Sequence, residues 1–412
     1  MLWRSWFLIS GICAVFLSYR IYVVLHREIP PEIEHPNIVR WLDEAGRAGN
    51  TLTWICHQLG IEHATWPAKL VVNFGARLLL NGFGKPVTNI TVRYTSIDSV
   101  PVTIFLPDVL SVKDKYPTIV YFHGGGWTWF SVDVYAGYLS HLAKRTNIQI
   151  VAVDYRKAPQ FPFPSAYDDC LTVTNGLLKR KNDFRIKPGK LLVAGDGSGG
   201  NLAAAVAHVT KGKILMQVLI NPTLQIIDFE TPSYQDNVNT LPGLSSAYRN
   251  IYHWLSYVGI SKDYLQMAIQ NNHVSQNTLN SAFSSYVNSK KYLPSYHNVT
   301  KRKTKQKRES GSFIVTSAFN GVVADPRIAP MMAVQVKDVP NVYMITSQYD
   351  VYRDEAIMYT HRLFDADVKV KLEHYFEAFH GFFLFCGYGP IEFKVSKQAL
   401  DTLVDFLDNM VK

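Results

Sequence analysis

Four short segments hold residues that together could perform acyl transfer. The turn His123-Gly124-Gly125-Gly126-Trp127 follows the β-rich run 118–122, the corner Gly195-Asp196-Gly197-Ser198-Gly199-Gly200 follows the apolar run Leu191 to Ala194, and Asp350 and His380 come later in the chain. Glycines without side chains let backbone N–H groups converge on an oxygen that becomes negative in the transition state. His123, Gly124 and Gly125, with the N–H of the residue after the nucleophile, would form such an oxyanion hole. A carboxylate at 350 can fix the tautomer of an imidazole at 380 and stabilise its cation, while His380 takes the nucleophile's proton and returns it to the leaving group. Singly, Asp350 reads as a helix N-cap and His380 as an ordinary histidine. Their order after a strand-to-helix corner, acid and then histidine, each just past a strand, is what favours catalysis.

The corner departs from that scheme at one residue. A strained strand-to-helix turn wants glycine two before and two after its apex, and Gly195 and Gly199 bracket Gly197, which has no hydroxyl. Ser198 is one place late. At a helix start one residue turns a side chain by about 100° and advances it by about 1.5 Å. Misplacement near 1 Å can cost about a hundredfold in rate, so Ser198 needs the corner to re-register. Gly197, Gly199 and Gly200 make the corner pliable. Ser198 is then the candidate nucleophile, with Gly199 supplying the following N–H. Two alternatives stay open: a binding protein without covalent chemistry, and attack by water activated at His380.

The elements that position these residues are legible as runs. Strands are expected at 118–122, 148–153, 191–194, 214–220, 342–346 and 368–375, with helical stretches between them and an amphipathic helix at 395–411. Buried β-branched strands alternating with helices predict an α/β fold with a mostly parallel central sheet covered by helices on both faces. Residues 26–90 read as a helical segment, 91–221 and 313–412 as two parts of the core. Between 222 and 312 the strand rhythm stops, in a Tyr-, Ser- and Asn-rich stretch.

The chain resembles the arylacetamide deacetylase branch of the hormone-sensitive-lipase group of α/β hydrolases from about Ile29 to its end. The likeness is carried by the His123 to Trp127 turn, Asp154-Tyr155-Arg156-Lys157-Ala158-Pro159, Gly195-Asp196, Gly199-Gly200-Asn201-Leu202, Pro232-Ser233-Tyr234-Gln235, Gln348-Tyr349-Asp350-Val351 and Phe379-His380-Gly381. It implies the α/β-hydrolase fold, with 26–90 and the 222–312 insertion as a cap over the strand ends, and hydrolysis of lipophilic esters or amides without a cofactor. It also implies a single-pass protein of the endoplasmic reticulum membrane with a lumenal body. An ungapped match puts Gly197 at the family's serine, and Thr128 and Ser347 where members carry a cysteine pair.

Composition agrees with a large core: of 412 residues 47% are hydrophobic and 18% charged. Much of the formal +9 charge sits in the run 301–308, which reads as a solvated loop without a nucleic-acid motif. The apolar stretch 6–25, interrupted at Arg20, is near the roughly 20 residues of a membrane span, and residues 1–25 are expected to form a signal anchor. Asn89 and Asn298 stand in Asn-X-Thr sequons, glycan acceptors in a lumenal body. Cys56, Cys170 and Cys386 read as buried thiols. No metal-ligand spacing, phosphate loop or dinucleotide fingerprint occurs, so neither a metal nor a cofactor is expected.

Overall fold

The computed structural model describes residue 15 and residues 18–59, 65–81, 87–108, 115–293 and 311–411. The apolar stretch at 6–25 lies mostly outside them, as do Asn298 and the basic run 301–308. Residues 18–25 are helical, and among the described residues no helix is long and apolar enough to cross a membrane.

Two helices lead, α1 (Pro36–Gln58) and α2 (Thr65–Asn81), followed by the hairpin β1 (Ile90–Ile97) and β2 (Val100–Pro107). Then strands and helices alternate: β3 (Tyr116–Phe122), α3 (Val132–Thr146), β4 (Gln149–Val153), α4 (Ser165–Lys179), β5 (Ile186–Asp196), α5 (Ser198–Val209) and β6 (Met216–Ile220). A helical excursion contains α6 (Pro232–Asn237) and α7 (Ala247–Val258), and the chain returns through β7 (Asn341–Tyr349), α8 (Arg353–Phe364), β8 (Val370–Phe379) and α9 (Lys394–Val411).

The eight strands form one sheet in the order β1-β2-β4-β3-β5-β6-β7-β8. Six of them, β3 to β8, pair in parallel, and the β1–β2 hairpin is antiparallel at one edge. Parallel strands must be covered on both faces, and the sequence obliges: every residue of β4 and β6 is buried. Alternate residues of β4, β5 and β6 enter two clusters, Val151, Val153, Val193 and Leu219 on one face, Ile150, Ala152, Leu192 and Ile220 on the other. The Ala-rich α5 is buried from Ser198 to Ala207, because small side chains let it lie close over the sheet centre.

A buried carboxylate ties the first helix to the excursion. Asp43 of α1 accepts from the amide of Gly243 at 2.6 Å and forms ion pairs with Arg27 and Arg47. Backbones touch there: a Cβ on Gly46 would come within 2.1 Å of the Gly243 carbonyl oxygen. The first helix and the helical excursion are therefore in direct backbone contact. Cys56, Cys170 and Cys386 are buried free thiols, and Asn89 is exposed immediately before β1.

Candidate active site

The loops leaving β3, β5, β7 and β8 meet at the carboxyl edge of the sheet, where a doubly covered sheet leaves its crevice. Between β5 and α5 the chain turns on Gly197, at φ 52° and ψ −116°. That is left-handed backbone in which an L side chain is strained, and the turn is held by Gly197 N–H donating to Ile220 O at 2.9 Å. The close packing behind it explains the glycine bracket: a Cβ on Gly199 would lie 1.9 Å from the Phe122 carbonyl oxygen, and one on Gly195 2.3 Å from that of Gly199. Gly199→Ala is expected to lower stability by about 3 kcal/mol or more, read as a fall in the urea midpoint, because its Cβ would meet backbone atoms of Phe122 and His123 that cannot move aside.

Asp350, directly after β7, is fully buried. Its Oδ2 accepts from Nδ1 of His380 at 2.9 Å and from Nδ2 of Asn221 at 2.7 Å, and its Oδ1 accepts from the Tyr352 amide at 3.0 Å. The carboxylate is thus held from three sides. Since it only accepts, the imidazole carries its proton on Nδ1 and presents an Nε2 lone pair, the state of a general base. Tyr352 stands edge-on to that ring at 5.3 Å.

Nε2 faces Gly197. A Cβ built on this glycine would lie 3.7 Å from both Cε1 and Nε2 of His380, with no other contact within 4 Å. The apex of the turn is therefore where a side chain would meet the base, and the residue at the apex is glycine. Ser198 begins α5 instead, 3% exposed, and its Oγ accepts from the Trp127 amide at 3.2 Å. The re-registration that would lift Ser198 to the apex is not adopted: Gly197 holds the turn, and the hydroxyl ties the helix start to the glycine loop.

The glycine loop also differs from expectation. His123 is buried beneath it, its Nδ1 against Gly124 O at 2.7 Å and its ring stacked on Tyr155 at 4.5 Å; burial pushes it down to about 3, so it is neutral. The Gly124 amide donates to Asp196 Oδ1 at 3.1 Å and to Tyr135 Oη at 3.2 Å. Neither residue lines the cavity beside Gly197, and neither does Gly199. Of the four expected oxyanion residues only Gly125 stays in place. Gly126 joins it at the cavity wall, and the amides of both have no partner among the described residues. With Gly197 at the apex, the following N–H belongs to Ser198, one of the helix-start amides that lack an intrahelical acceptor. Asp196 fixes this loop from behind, accepting from Tyr121 Oη at 2.8 Å and Tyr135 Oη at 2.7 Å, while burial pushes its carboxyl above the ordinary range.

Above these groups lies a cavity of about 490 Å³. Leu42, Ala48 and Leu52 of α1, and Val72, Ala76 and Leu79 of α2, wall it on one side, with residues of α7 on another. The volume and apolar lining suit a drug-sized or acyl ligand with a few polar contacts at one end.

The described geometry matches that of a known family. A family model described as α/β hydrolase fold matches residues 119–287 and 259–384. The chain belongs to the α/β-hydrolase fold family. It is 31% identical over 405 residues to neutral cholesterol ester hydrolase 1 of Bos taurus, covering 95% of this chain and 96% of the relative. It is likewise 31% identical over 412 residues to arylacetamide deacetylase of Bos taurus, covering 96% and 97%. A solved ester hydrolase from the metagenome of Lake Arreo superposes with a TM-score of 0.65 at 19% identity over 93% of this chain and 99% of its own, a likeness of fold.

Within this α/β-hydrolase frame the structure brings together Asp350, His380 and Gly125 and sets Ser198 aside. Sequence reasoning missed Asn221 and Gly126. Asn221 could have been found, since it follows an expected strand as Asp350 and His380 do.

Proposed function

We propose that the chain hydrolyses carboxylic esters or amides of lipophilic acyl groups through an acyl-enzyme, at low turnover, with Ser198 supplying the hydroxyl. The observation that carries this reading is the base: Nε2 of His380, oriented by Asp350, faces the Gly197 apex beside glycine amides at the floor of an apolar cavity. The names of the ester hydrolase and deacetylase relatives support the reaction class. Ser198 must leave the Trp127 amide to reach the base, which costs about 1–3 kcal/mol for a buried donor left unpaired. Activity is correspondingly slow. The His380 imidazole then takes the hydroxyl proton as Oγ attacks the acyl carbon, the Gly125, Gly126 and corner amides receive the oxyanion, the protonated imidazole gives the proton to the leaving group as the C–O or C–N bond breaks, and water activated by the same imidazole cleaves the acyl-enzyme, releasing the acid and Ser198.

A second reading, binding of a lipophilic ligand without acyl transfer, is favoured by the engagement of Ser198 Oγ with Trp127. A fluorophosphonate separates the two, because it labels only an activated hydroxyl. The purified chain is expected to label slowly and Ser198→Ala to abolish labelling. Folded wild-type protein that neither labels nor turns over simple acyl esters supports the binding reading. Turnover lost in His380→Ala but kept in Ser198→Ala indicates attack by water.

The same proposal includes a signal-anchored, single-pass protein with its body in the lumen of the endoplasmic reticulum. Support comes from the apolar stretch at 6–25, the exposed sequon asparagine Asn89, and exposed Trp41, Ile55, Leu70, Val71 and Phe74 on the two helices that wall the cavity. Such a face next to the cavity suits substrates that arrive from lipid.

A further inference from the structure

The helix α7 brings polar side chains to an otherwise apolar cavity. Arg249, Asn250 and His253 all line it. Arg249 uses one nitrogen, Nη1, to donate to Gly243 O at 2.6 Å and Leu244 O at 3.1 Å, and its guanidinium lies 4.7 Å over the Trp129 ring. Among the described residues its Nε and Nη2 have no acceptor and no carboxylate pairs with it. Asn250 and His253 are 5% and 4% exposed, and Asn250 Nδ2 and His253 Nε2 are buried without a partner. His253 Nδ1 is occupied, 2.7 Å from Thr128 Oγ1.

Buried polar groups are nearly always satisfied, and Arg249 is a partly buried guanidinium whose neighbouring carboxylate, Asp43, is already engaged by Arg27, Arg47 and the Gly243 amide. Here an unpaired cation and an orphaned amide donor share one wall with a cavity fit for an alkyl chain. His253, held neutral by its burial and by the neighbouring Arg249, adds a further donor in the tautomer with its proton on Nε2, whereas a neutral apolar ligand satisfies none of these groups. The wall also adjoins the catalytic groups, since Arg249, Tyr352 and His380 line the same cavity and Tyr352 stands edge-on to the imidazole.

We propose that Arg249 and Asn250 form a carboxylate subsite, so that the cavity takes lipophilic molecules bearing an anionic oxygen group. This rests on the cavity being a lipophilic ligand site but not on the nucleophile. Two sources share the chemistry: a free lipophilic acid, as released by ester cleavage, and the carboxylate of a half-ester substrate. Guanidinium and carboxylate geometry match, and charge-assisted bonds in an apolar surround are the stronger kind.

The test is displacement of the neutral dye Nile red from the full chain by dodecanoate, monomethyl dodecanedioate and dodecanol. At least one carboxylate is expected to bind about tenfold more tightly than dodecanol, a difference within reach of one charge-assisted pair. Arg249→Met should remove that preference in a variant that still binds Nile red, Asn250→Leu should weaken it, and Arg249→Lys should keep most of it. Tighter dodecanoate assigns the free acid, tighter half-ester the substrate carboxylate. The proposal is overturned if neither carboxylate outbinds dodecanol, or if the preference survives Arg249→Met. Failure of the hydrolase reading would show instead as absent fluorophosphonate labelling, which these binding measurements do not touch.

Discussion

Gly197→Ser is expected to raise kcat/KM on a soluble lipophilic ester such as p-nitrophenyl butyrate by about 10²–10³. A Cβ at this position meets only Cε1 and Nε2 of His380, both at 3.7 Å, so a hydroxyl one bond further out reaches hydrogen-bond distance of the base without displacing anything. The backbone at φ 52° disfavours an L side chain by about 1–3 kcal/mol, but the turn already adopts that conformation and is held from Ile220 and by the packing behind Gly199. Against that cost stands the gain from a positioned general base, about 10²–10⁴ in rate, and the recovery of about a hundredfold for a hydroxyl in register. Stability should fall by about 1–3 kcal/mol while turnover rises. Steady-state assays of both proteins at equal folded concentration decide the matter.

In the Gly197→Ser background, His380→Ala should return kcat to or below the wild-type level, a loss of about 10³, with KM little changed. Asp350→Asn should cost nearly as much. An asparagine that presents its amide NH₂ to Nδ1 favours the tautomer with the proton on Nε2, which leaves the base with no lone pair toward the hydroxyl. Neither orientation of the asparagine is satisfied, since its NH₂ would face the donating Nδ2 of Asn221 in the place of Oδ2 or the donating Tyr352 amide in the place of Oδ1, and either way the acceptor that fixes the imidazole is compromised. A pure loss in kcat locates the interaction in the transition state rather than in substrate binding.

The parallel core was legible because burial on both faces demands continuous apolar runs, and each expected strand from 118–122 to 368–375 lies over or within two residues of an observed one. The β1–β2 hairpin was not read as strands. β1 is an edge strand, exposed along most of its length, and Thr, Arg, Tyr and Ser there give no inward run. Asp350 and His380 could be found since their chemistry depends on being just past a strand end, a local property. The oxyanion donors depended on something nonlocal: Gly124 N–H is taken by Asp196 and Tyr135, residues 72 and 11 positions away, and no pattern within the glycine loop announces that. The orientation of Ser198 was hidden for the same reason, because its partner is the amide of Trp127, contributed by a different loop.

The most direct test is to map the fluorophosphonate adduct on folded Gly197→Ser protein by peptide mass spectrometry. The account predicts stoichiometric modification at position 197, lost on adding His380→Ala. A folded variant that remains unmodified, or one modified at Ser198 with position 197 untouched, contradicts the claim that the Gly197 apex faces a working His380–Asp350 base.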